Sequence, residues 1–418
     1  MKKSVLTNYP VLMITAFMLF MTAGLGYAAT NYYVWRDNLS PGTPFTNWAM
    51  AATSIQDAVD LTLANDVVYV TNGIYDTGGM ITPSYQITNR VCIARAITVC
   101  SMNGPGLTII KGAAAPGGGM GTGAVRCVYL SSVAASLIGF TLTGGYTMSN
   151  GNYNYDCSAG GVFLKTNSVV SNCVISGNTA FNTAGGAMLF WGGTLNNSTV
   201  VSNTTTVAGG GGVVATSGGT INNCTLVGNR AGTSGGGAGL ENTINSAMNN
   251  CLVVSNTAAQ RGGGVDLVNG GTLNNCTVAS NTAGLQGGAF RFTGTAGTGE
   301  VNNCIVWRNI ATGVPSISNI YIVNNARINY TCSDTTTIIY GSGNIVGDPM
   351  FVDINTGDYR LNPLSPGINT GTNFSWMTDS TDVRRKDLDG HSRIDRFSDI
   401  VDMGCYEYLP SGTMFRFR

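Results

Sequence analysis

The sequence is short of charge, of histidine and of long apolar runs, and each shortage removes a class of function. Only 10% of the 418 residues are charged, and 21 basic residues balance 21 acidic ones. That balance offers no net field to attract nucleic acid or an anionic membrane surface, so no nucleic-acid partner is expected. There is a single histidine, His391, and no Cys-x-x-Cys pair. A Cys/His zinc site and a Ser-His-Asp triad are therefore not expected. Downstream of residue 25 no stretch is long and apolar enough to read as a membrane-spanning helix. Apolar residues spaced at 3.6, the mark of helical repeats, are also missing. What is abundant is glycine, 58 residues. The chain is too apolar for a disordered protein and lacks the strict glycine triplet of collagen, which leaves many short strands separated by Gly and Asn turns.

The N-terminus reads as a signal peptide over residues 1–28. Lys2 and Lys3 supply the charged start, residues 11–25 the apolar stretch, and Gly26-Tyr27-Ala28 the small residues of a cleavage site. The 11 cysteines are an odd number, so they cannot all pair with one another.

The middle of the chain repeats. Ser171-Asn172-Cys173-Val174, Asn196-Asn197-Ser198-Thr199, Asn222-Asn223-Cys224-Thr225, Asn249-Asn250-Cys251-Leu252, Asn274-Asn275-Cys276-Thr277 and Asn302-Asn303-Cys304-Ile305 align, with the Cys/Ser positions 25, 26, 27, 25 and 28 residues apart. A further Asn follows in each unit: Asn178, Asn203, Asn229, Asn256, Asn281 and Asn309. A glycine pair opens the other half: Gly160-Gly161, Gly185-Gly186, Gly211-Gly212, Gly236-Gly237, Gly263-Gly264 and Gly287-Gly288. A fixed period in this range marks a stacked repeat, and the short runs within it alternate with a period of two. Each unit is then one coil of two or three strands, and the expected fold is an all-β, single-stranded right-handed parallel β-helix. Coils stack at about 4.8 Å, so equivalent side chains sit above one another. The Cys/Ser column reads as small and inward-facing, the Asn columns as amides bonded along the axis, and the glycines as residues with backbone angles that a Cβ would forbid. The Asn-x-Ser/Thr matches at Asn197 and Asn223 fall on these columns and read as products of the repeat rather than as glycan sites.

Several stretches carry a resemblance to known families. Leu137-Ile138-Gly139-Phe140-Thr141-Leu142-Thr143-Gly144-Gly145 resembles the opening coil of the pectin-lyase-like β-helix proteins. Tyr32-Tyr33-Val34, residues 54–60, Asp66-Val67-Val68-Tyr69-Val70 and Gly73-Ile74-Tyr75 resemble their N-terminal region, in which residues 54–63 form a short amphipathic helix capping the open end. Asn178-Thr179-Ala180 to Gly185-Gly186-Ala187 and Asn281-Thr282-Ala283 to Gly287-Gly288-Ala289 are similar to polymorphic outer-membrane protein repeats. Gly347-Asp348-Pro349-Met350-Phe351-Val352-Asp353, Gly357-Asp358-Tyr359-Arg360-Leu361, Ser365-Pro366-Gly367-Ile368, Asp387-Leu388-Asp389-Gly390 and Asp402-Met403-Gly404-Cys405-Tyr406-Glu407-Tyr408 resemble the choice-of-anchor Q region that follows β-helices in exported bacterial proteins. The resulting division is 1–28 signal peptide, 29–125 N-terminal cap and first coils, 126–340 β-helix repeats, 341–408 anchor-like region and 409–418 tail.

The resemblance implies fold and export, not chemistry, because the pectin-lyase-like superfamily holds lyases, hydrolases and silent relatives. Its glycosidases use paired carboxylates and its lyases a Ca²⁺ site with a basic residue. Residues 160–310 hold only Glu241, Asp266 and Glu300 as acids. With Val265 and Leu267 inward, Asp266 faces out and shares its position with Phe163, Met188, Val214, Gly239 and Phe290. A parallel outward column holds Lys165, Phe190, Thr216, Glu241, Val268 and Phe292, while the Arg291 strand can be read pointing either way. Asp266 and Glu241 are the candidate catalytic pair, and Lys165, Phe190 and Trp191 beside them suit a carbohydrate groove. The irregular loop 146–157 brings Tyr146, Tyr153 and Tyr155 as further candidate ligand contacts. The C-terminal region holds 11 of the 21 acids, and Asp387 and Asp389 have carboxylate spacing that suits Ca²⁺; no cofactor is otherwise required. Taken together, the expectation is an exported bacterial protein, extracellular or at the cell surface or outer membrane, with envelope anchoring. It binds polysaccharide or surface glycan in adhesion without catalysis; the alternative is a polysaccharide lyase or glycoside hydrolase acting on an acidic, pectin-like polymer.

Overall fold

The computed structural model describes residues 28–131, 134–241, 245–294, 299–313, 319–323, 326–334, 341–394 and 398–410. The expected signal peptide, apart from Ala28, and residues 411–418 of the tail lie outside them.

One coil shows how the repeat becomes a strand order. The chain passes through Val265–Val268, Thr272–Asn274, Thr277–Ala279 and Thr282–Ala283, and each segment pairs in parallel with its equivalent one coil away. Among the described residues, repetition builds a first sheet of 10 strands, second and third sheets of 11 strands each and a fourth of 6. The result is a right-handed parallel β-helix, as the repeat predicts. Strands of three residues suffice because each is buried by coils on both sides rather than by its own length.

Alternation along each strand puts one apolar side chain per strand into the interior. In the second sheet these are Val170, Leu195, Ile221, Met248, Leu273, Val301 and Ile328, paired rung by rung and all buried. In the third they are Ile175, Val200, Leu226, Val253, Val278 and Val306. Burying each contributes about 1.5–3 kcal/mol relative to exposure. The helix Ile55–Leu61 adds Ile55, Ala58 and Val59 to this core beside Tyr32, Val34 and Val68.

The turn between the second and third sheets explains the Asn-Cys motif. Asn172, Asn197, Asn223, Asn250, Asn275 and Asn303 all adopt left-handed φ values between 48° and 54°, a conformation Asn tolerates better than most residues. The following Cys or Ser turns inward and donates to the carbonyl two residues back: Cys224 to Asn222 at 3.2 Å, Cys304 to Asn302 at 3.2 Å and Ser198 to Asn196 at 2.7 Å. The position therefore needs a small donor, which is why Ser replaces Cys there without a break. All 11 cysteines are free.

At the next turn, Asn178, Asn203, Asn229, Asn256, Asn281 and Asn309 form a continuous buried amide ladder. Each Nδ2 donates to the next Oδ1 at 2.8–3.0 Å, and each Oδ1 also takes the preceding rung's main-chain N–H.

The glycines correct the sequence reading. The left-handed residues are those one place before the pair, Ala159, Ala184, Gly210, Gly235 and Gly262, and in the last unit Gly287 itself. The glycines that follow are required by close approach instead. A Cβ on Gly236 would lie 2.2 Å from the Gly263 carbonyl oxygen, and one on Gly263 would lie 2.5 Å from that of Gly288. The motif is thus a triplet, and Gly287-Gly288 aligns with Gly262-Gly263 rather than with Gly263-Gly264. That slip of one residue inverts the faces of the strand Phe290–Thr293. Phe290 pairs with Val265 and Phe292 with Leu267, both inward, while Arg291 pairs with Asp266 and Thr293 with Val268. Phe290 and Phe292 are core residues and leave the outward columns.

Described residues between 351 and 408 cover the outer side of the third sheet, which ends on the strand Ile345–Val346. Tyr359, Cys405, Phe351 and Tyr406 cover Leu252, Val254 and Ala279, while Leu361 and Met403 cover Ile305 and Cys332. Arg393, fully buried, ties this layer down through Glu407 Oε1 at 2.6 Å, the Gly404 carbonyl at 2.5 Å and Asn250 Oδ1 at 3.1 Å.

Candidate functional site

The outward face of the first sheet carries the side chains singled out in the sequence. One column runs Phe163, Met188, Val214, Gly239, Asp266 and Arg291. Beside it lie Phe190, Thr216, Glu241, Val268 and Thr293. Coils separate successive rungs by about 4.8 Å, so the face is a strip that changes from aromatic to charged along its length.

At the aromatic end, the loop 146–159 folds over the strip. Arg126, fully buried, holds it through the Ala159 and Ser158 carbonyls, each at 2.8 Å, and the Tyr155 carbonyl. Among the described residues no carboxylate bonds to Arg126, and burial lowers its pKa to about 10. Asp156 completes the attachment by accepting the main-chain N–H groups of Gln86 and Ile87 at 2.8 and 3.0 Å. Neither residue stands out in the sequence, because their partners are main-chain atoms of distant segments.

Tyr155 is consumed by this packing. Its ring stacks on Tyr85 with centroids 3.9 Å apart and on Phe163 at 5.2 Å. Tyr146 is half-buried at a parallel bridge to Thr179. Tyr153 is exposed and packs obliquely on Phe181 at 6.3 Å. The three tyrosines therefore do not form one patch.

Trp191 remains open to solvent beyond the loop, and half-buried Phe190 joins it to Tyr155 and Phe163. The Phe190 and Trp191 rings stack at 4.9 Å, Trp191 is 56% exposed, and the Lys165 ammonium lies 5.7 Å from the Tyr155 ring. Trp191 has φ 56°, at a turn where Ser217 and Asn269 take the same left-handed conformation. A bulky residue there is strained by about 1–3 kcal/mol, the sort of cost that concentrates at functional sites.

At the charged end, Asp266 is 5% exposed and receives both arms of Arg291, Nε at 2.7 Å and Nη2 at 2.6 Å. Burial pushes the Asp266 carboxyl up, and the Arg291 guanidinium pulls it back. The Glu241 carboxylate, one coil earlier, makes no hydrogen bond among the described residues. Burial raises its pKa first, the Asp266 charge adds to that, and Arg291 opposes it. Sequence reasoning left Arg291 unplaced, yet its spacing of one 25-residue period from Asp266 was a usable signal.

Asp387 is buried and spends its oxygens on the main-chain N–H groups of His391 at 2.7 Å and Glu407 at 2.8 Å, while Asp389 is exposed. Among the described residues no group of three His, Cys, Asp or Glu side chains is arranged to hold a metal ion.

The fold is similar to that of the pectate-lyase-like right-handed parallel β-helices. A pectate lyase, Pel9A, aligns over 92% of this chain and 98% of its own with 14% identity and a TM-score of 0.51. A rhamnogalacturonan lyase aligns over 73% of this chain and 68% of its own, with 13% identity and a TM-score of 0.37. Pectin methylesterase PemA from Erwinia chrysanthemi aligns over 75% and 93%, with 11% identity and a TM-score of 0.39. At such identities the likeness is one of fold. No protein-family model matches the chain, and no curated protein matches its sequence.

Proposed function

We propose that the protein binds polysaccharide along the outward face of the first sheet and does not cleave it. Trp191 carries this reading: a strained, solvent-facing indole stacked on Phe190, with Lys165 on the neighbouring coil. Aromatic faces stack on sugar rings, and sparse charges fix orientation and favour an acidic polymer. The Asp266–Arg291 pair supports binding over catalysis, since a buried carboxylate held by both arms of an arginine has no free lone pair directed at substrate. In this proposal the chain is exported by its N-terminal segment. Residues 341–408 serve anchoring at a bacterial envelope, and the coils act as an adhesin in the manner of polymorphic outer-membrane repeats.

A lyase or glycosidase is the second reading, and Glu241 favours it. A half-buried carboxyl with a raised pKa beside a second carboxylate is the arrangement a general acid requires. One experiment separates the two. Polygalacturonate binding and the release of reducing ends or unsaturated products are measured together for the parent, Trp191→Ala and Glu241→Gln proteins, with and without Ca²⁺. Binding that falls about tenfold in Trp191→Ala, about 1.4 kcal/mol, without product in any sample supports the proposal. Product from the parent that disappears in Glu241→Gln replaces it with the enzyme.

A further inference from the structure

The second sheet turns an outward face of its own to a different side of the coils. Tyr32, Val34, Val68, Val99 and Leu137 point into the core, so alternation sends the residues between them out. On the first rungs one outward column is Asn31, Val67, Thr98 and Ser136, and the other is Tyr33, Tyr69, Cys100 and Ile138. Residues 45–52 run beside the edge strand Asn31–Val34 and exchange main-chain hydrogen bonds with Tyr33 and Trp35. That places Trp48 against Tyr33, with ring centroids 4.5 Å apart and planes at 61°, while Tyr33 and Tyr69 stack at 5.9 Å. Trp35 follows inward Val34 and also turns out. We propose that this aromatic corner binds a neutral polysaccharide chain.

The side chains suit a sugar better than an apolar partner. Trp35 and Trp48 are 42% and 37% exposed, and Tyr33 and Tyr69 are half-buried. Among the described residues no hydrogen bond engages the two phenols, the two indole N–H groups, or the hydroxyls of Thr98 and Ser136. Aromatic bodies with polar tips match a surface that is apolar and hydroxylated at once, as a pyranose ring is. An apolar protein or lipid surface would leave these donors unpaired.

The lack of charge narrows the ligand. From Asn31 and Tyr33 to Thr272 and Asn274, neither outward column holds a charged residue. Glu300 and Arg327 come only on the far rungs. Charges that flank the corner are engaged elsewhere. Buried Asp66 accepts from the Thr30 and Leu63 main-chain N–H groups at 2.7 and 2.6 Å, and Arg95 donates to the Val59 and Asp60 carbonyls at 3.2 Å each. Arg36 reaches Asp76 at 3.5 Å, and Asp37 lies toward Tyr75 of the third sheet. An acidic polymer would lose water from its carboxylates here and gain no partner, whereas a neutral one loses nothing of the kind. The C-terminal layer leaves this end open. Among the described residues, its hydrogen bonds to the turn beside the second sheet begin at Asn223, which donates to the Val383 carbonyl at 2.9 Å, and continue at Asn250, which donates to that of Arg384 at 2.6 Å.

The inference does not rest on the first-sheet reading, and its test is run in the Trp191→Ala protein to keep the two apart. Cellohexaose, xylohexaose and hexagalacturonate are titrated calorimetrically against that protein and against versions also carrying Trp48→Ala, Tyr69→Leu or Tyr69→Phe. One site for a neutral hexasaccharide is expected, about tenfold tighter than for hexagalacturonate. Trp48→Ala and Tyr69→Leu each weaken it about tenfold, while Tyr69→Phe, which keeps the ring, stays within about threefold. Trp48 is exposed, so Trp48→Ala decides the matter if Tyr69→Leu lowers the melting temperature. No binding of either neutral hexasaccharide, binding indifferent to Trp48→Ala, or hexagalacturonate bound as tightly overturns the proposal. So does a dimer that Trp48→Ala dissolves, seen by sedimentation in place of sugar binding, which makes the corner a contact between copies.

Discussion

Replacing Asn229 by Ala tests whether the buried amide ladder holds the coils together. Asn229 Oδ1 accepts from the Asn203 main-chain N–H and Nδ2, both at 3.0 Å, and Nδ2 donates to the Val200 carbonyl and to Asn256 Oδ1, both at 2.9 Å. Four hydrogen bonds disappear, but their partners are not equally affected. Asn203 Nδ2 keeps the Ile175 carbonyl, and Asn256 Oδ1 keeps the Asn229 N–H. The Asn203 N–H is left buried with nothing to donate to. An orphaned buried donor costs about 1–3 kcal/mol and each of the other three bonds about 1 kcal/mol, so a loss of about 4–6 kcal/mol is expected. Against a total stability on the order of 5–15 kcal/mol this approaches unfolding. The assay is urea denaturation, with hydrogen exchange at Asn203 and Asn229 to place the loss, because stacked repeats do not always unfold as one unit. Asn197→Gly, on an exposed left-handed turn, is the control and should stay within about 0.5 kcal/mol. Asn229→Asp keeps the acceptor but points a carboxylate at two oxygens. Its loss should shrink as pH falls, because protonation restores a donor and burial favours the neutral form. A loss below about 1 kcal/mol for Asn229→Ala would refute the account, since it would mean that the ladder bonds are exchanged for water at no net gain.

Three further expectations follow from the same geometry. Arg291→Met leaves Asp266 buried and unpaired and should cost about 3–5 kcal/mol in urea, most of it recovered in Asp266→Asn/Arg291→Met; no recovery would show that Arg291 acts through packing instead. Glu241 has a folded-state pKa above its ordinary 4.5, so its contribution is fully present below about 4.5 and is lost as pH rises through the folded value. Glu241→Gln should accordingly be more stable than the parent at pH 7 and no more stable at pH 4, and an equal difference at both pH values contradicts the raised carboxyl. Burial holds the Cys173 thiol at about 11 and those of Cys127 and Cys405 at about 12. Iodoacetamide at pH 8 should therefore leave these three unmodified in the folded protein and alkylate them after unfolding; mass spectrometry showing alkylated Cys173 in folded protein would count against the inward column.

The repeat alone determined the architecture, because stacking makes each side chain's environment a function of its place in the period. Leu273 is inward for the reason Leu195 is, and a reader of the period finds both. The Cys/Ser column, the two Asn columns and the outward position of Asp266 were legible in this way. The tertiary structure decided what the period cannot encode. A one-residue choice between two glycine alignments placed Phe290 inside and Arg291 against Asp266, since register is set by which glycine carbons touch the next coil. It also decided what lies over each face. Tyr155 was consumed in packing because Arg126 and Asp156 reach main-chain atoms from segments far apart in sequence. The same Asn position anchors the C-terminal layer at Asn223 and Asn250 but is exposed at Asn197. Local pattern governs contacts between neighbouring coils, and only the folded chain determines which surfaces its distant segments cover.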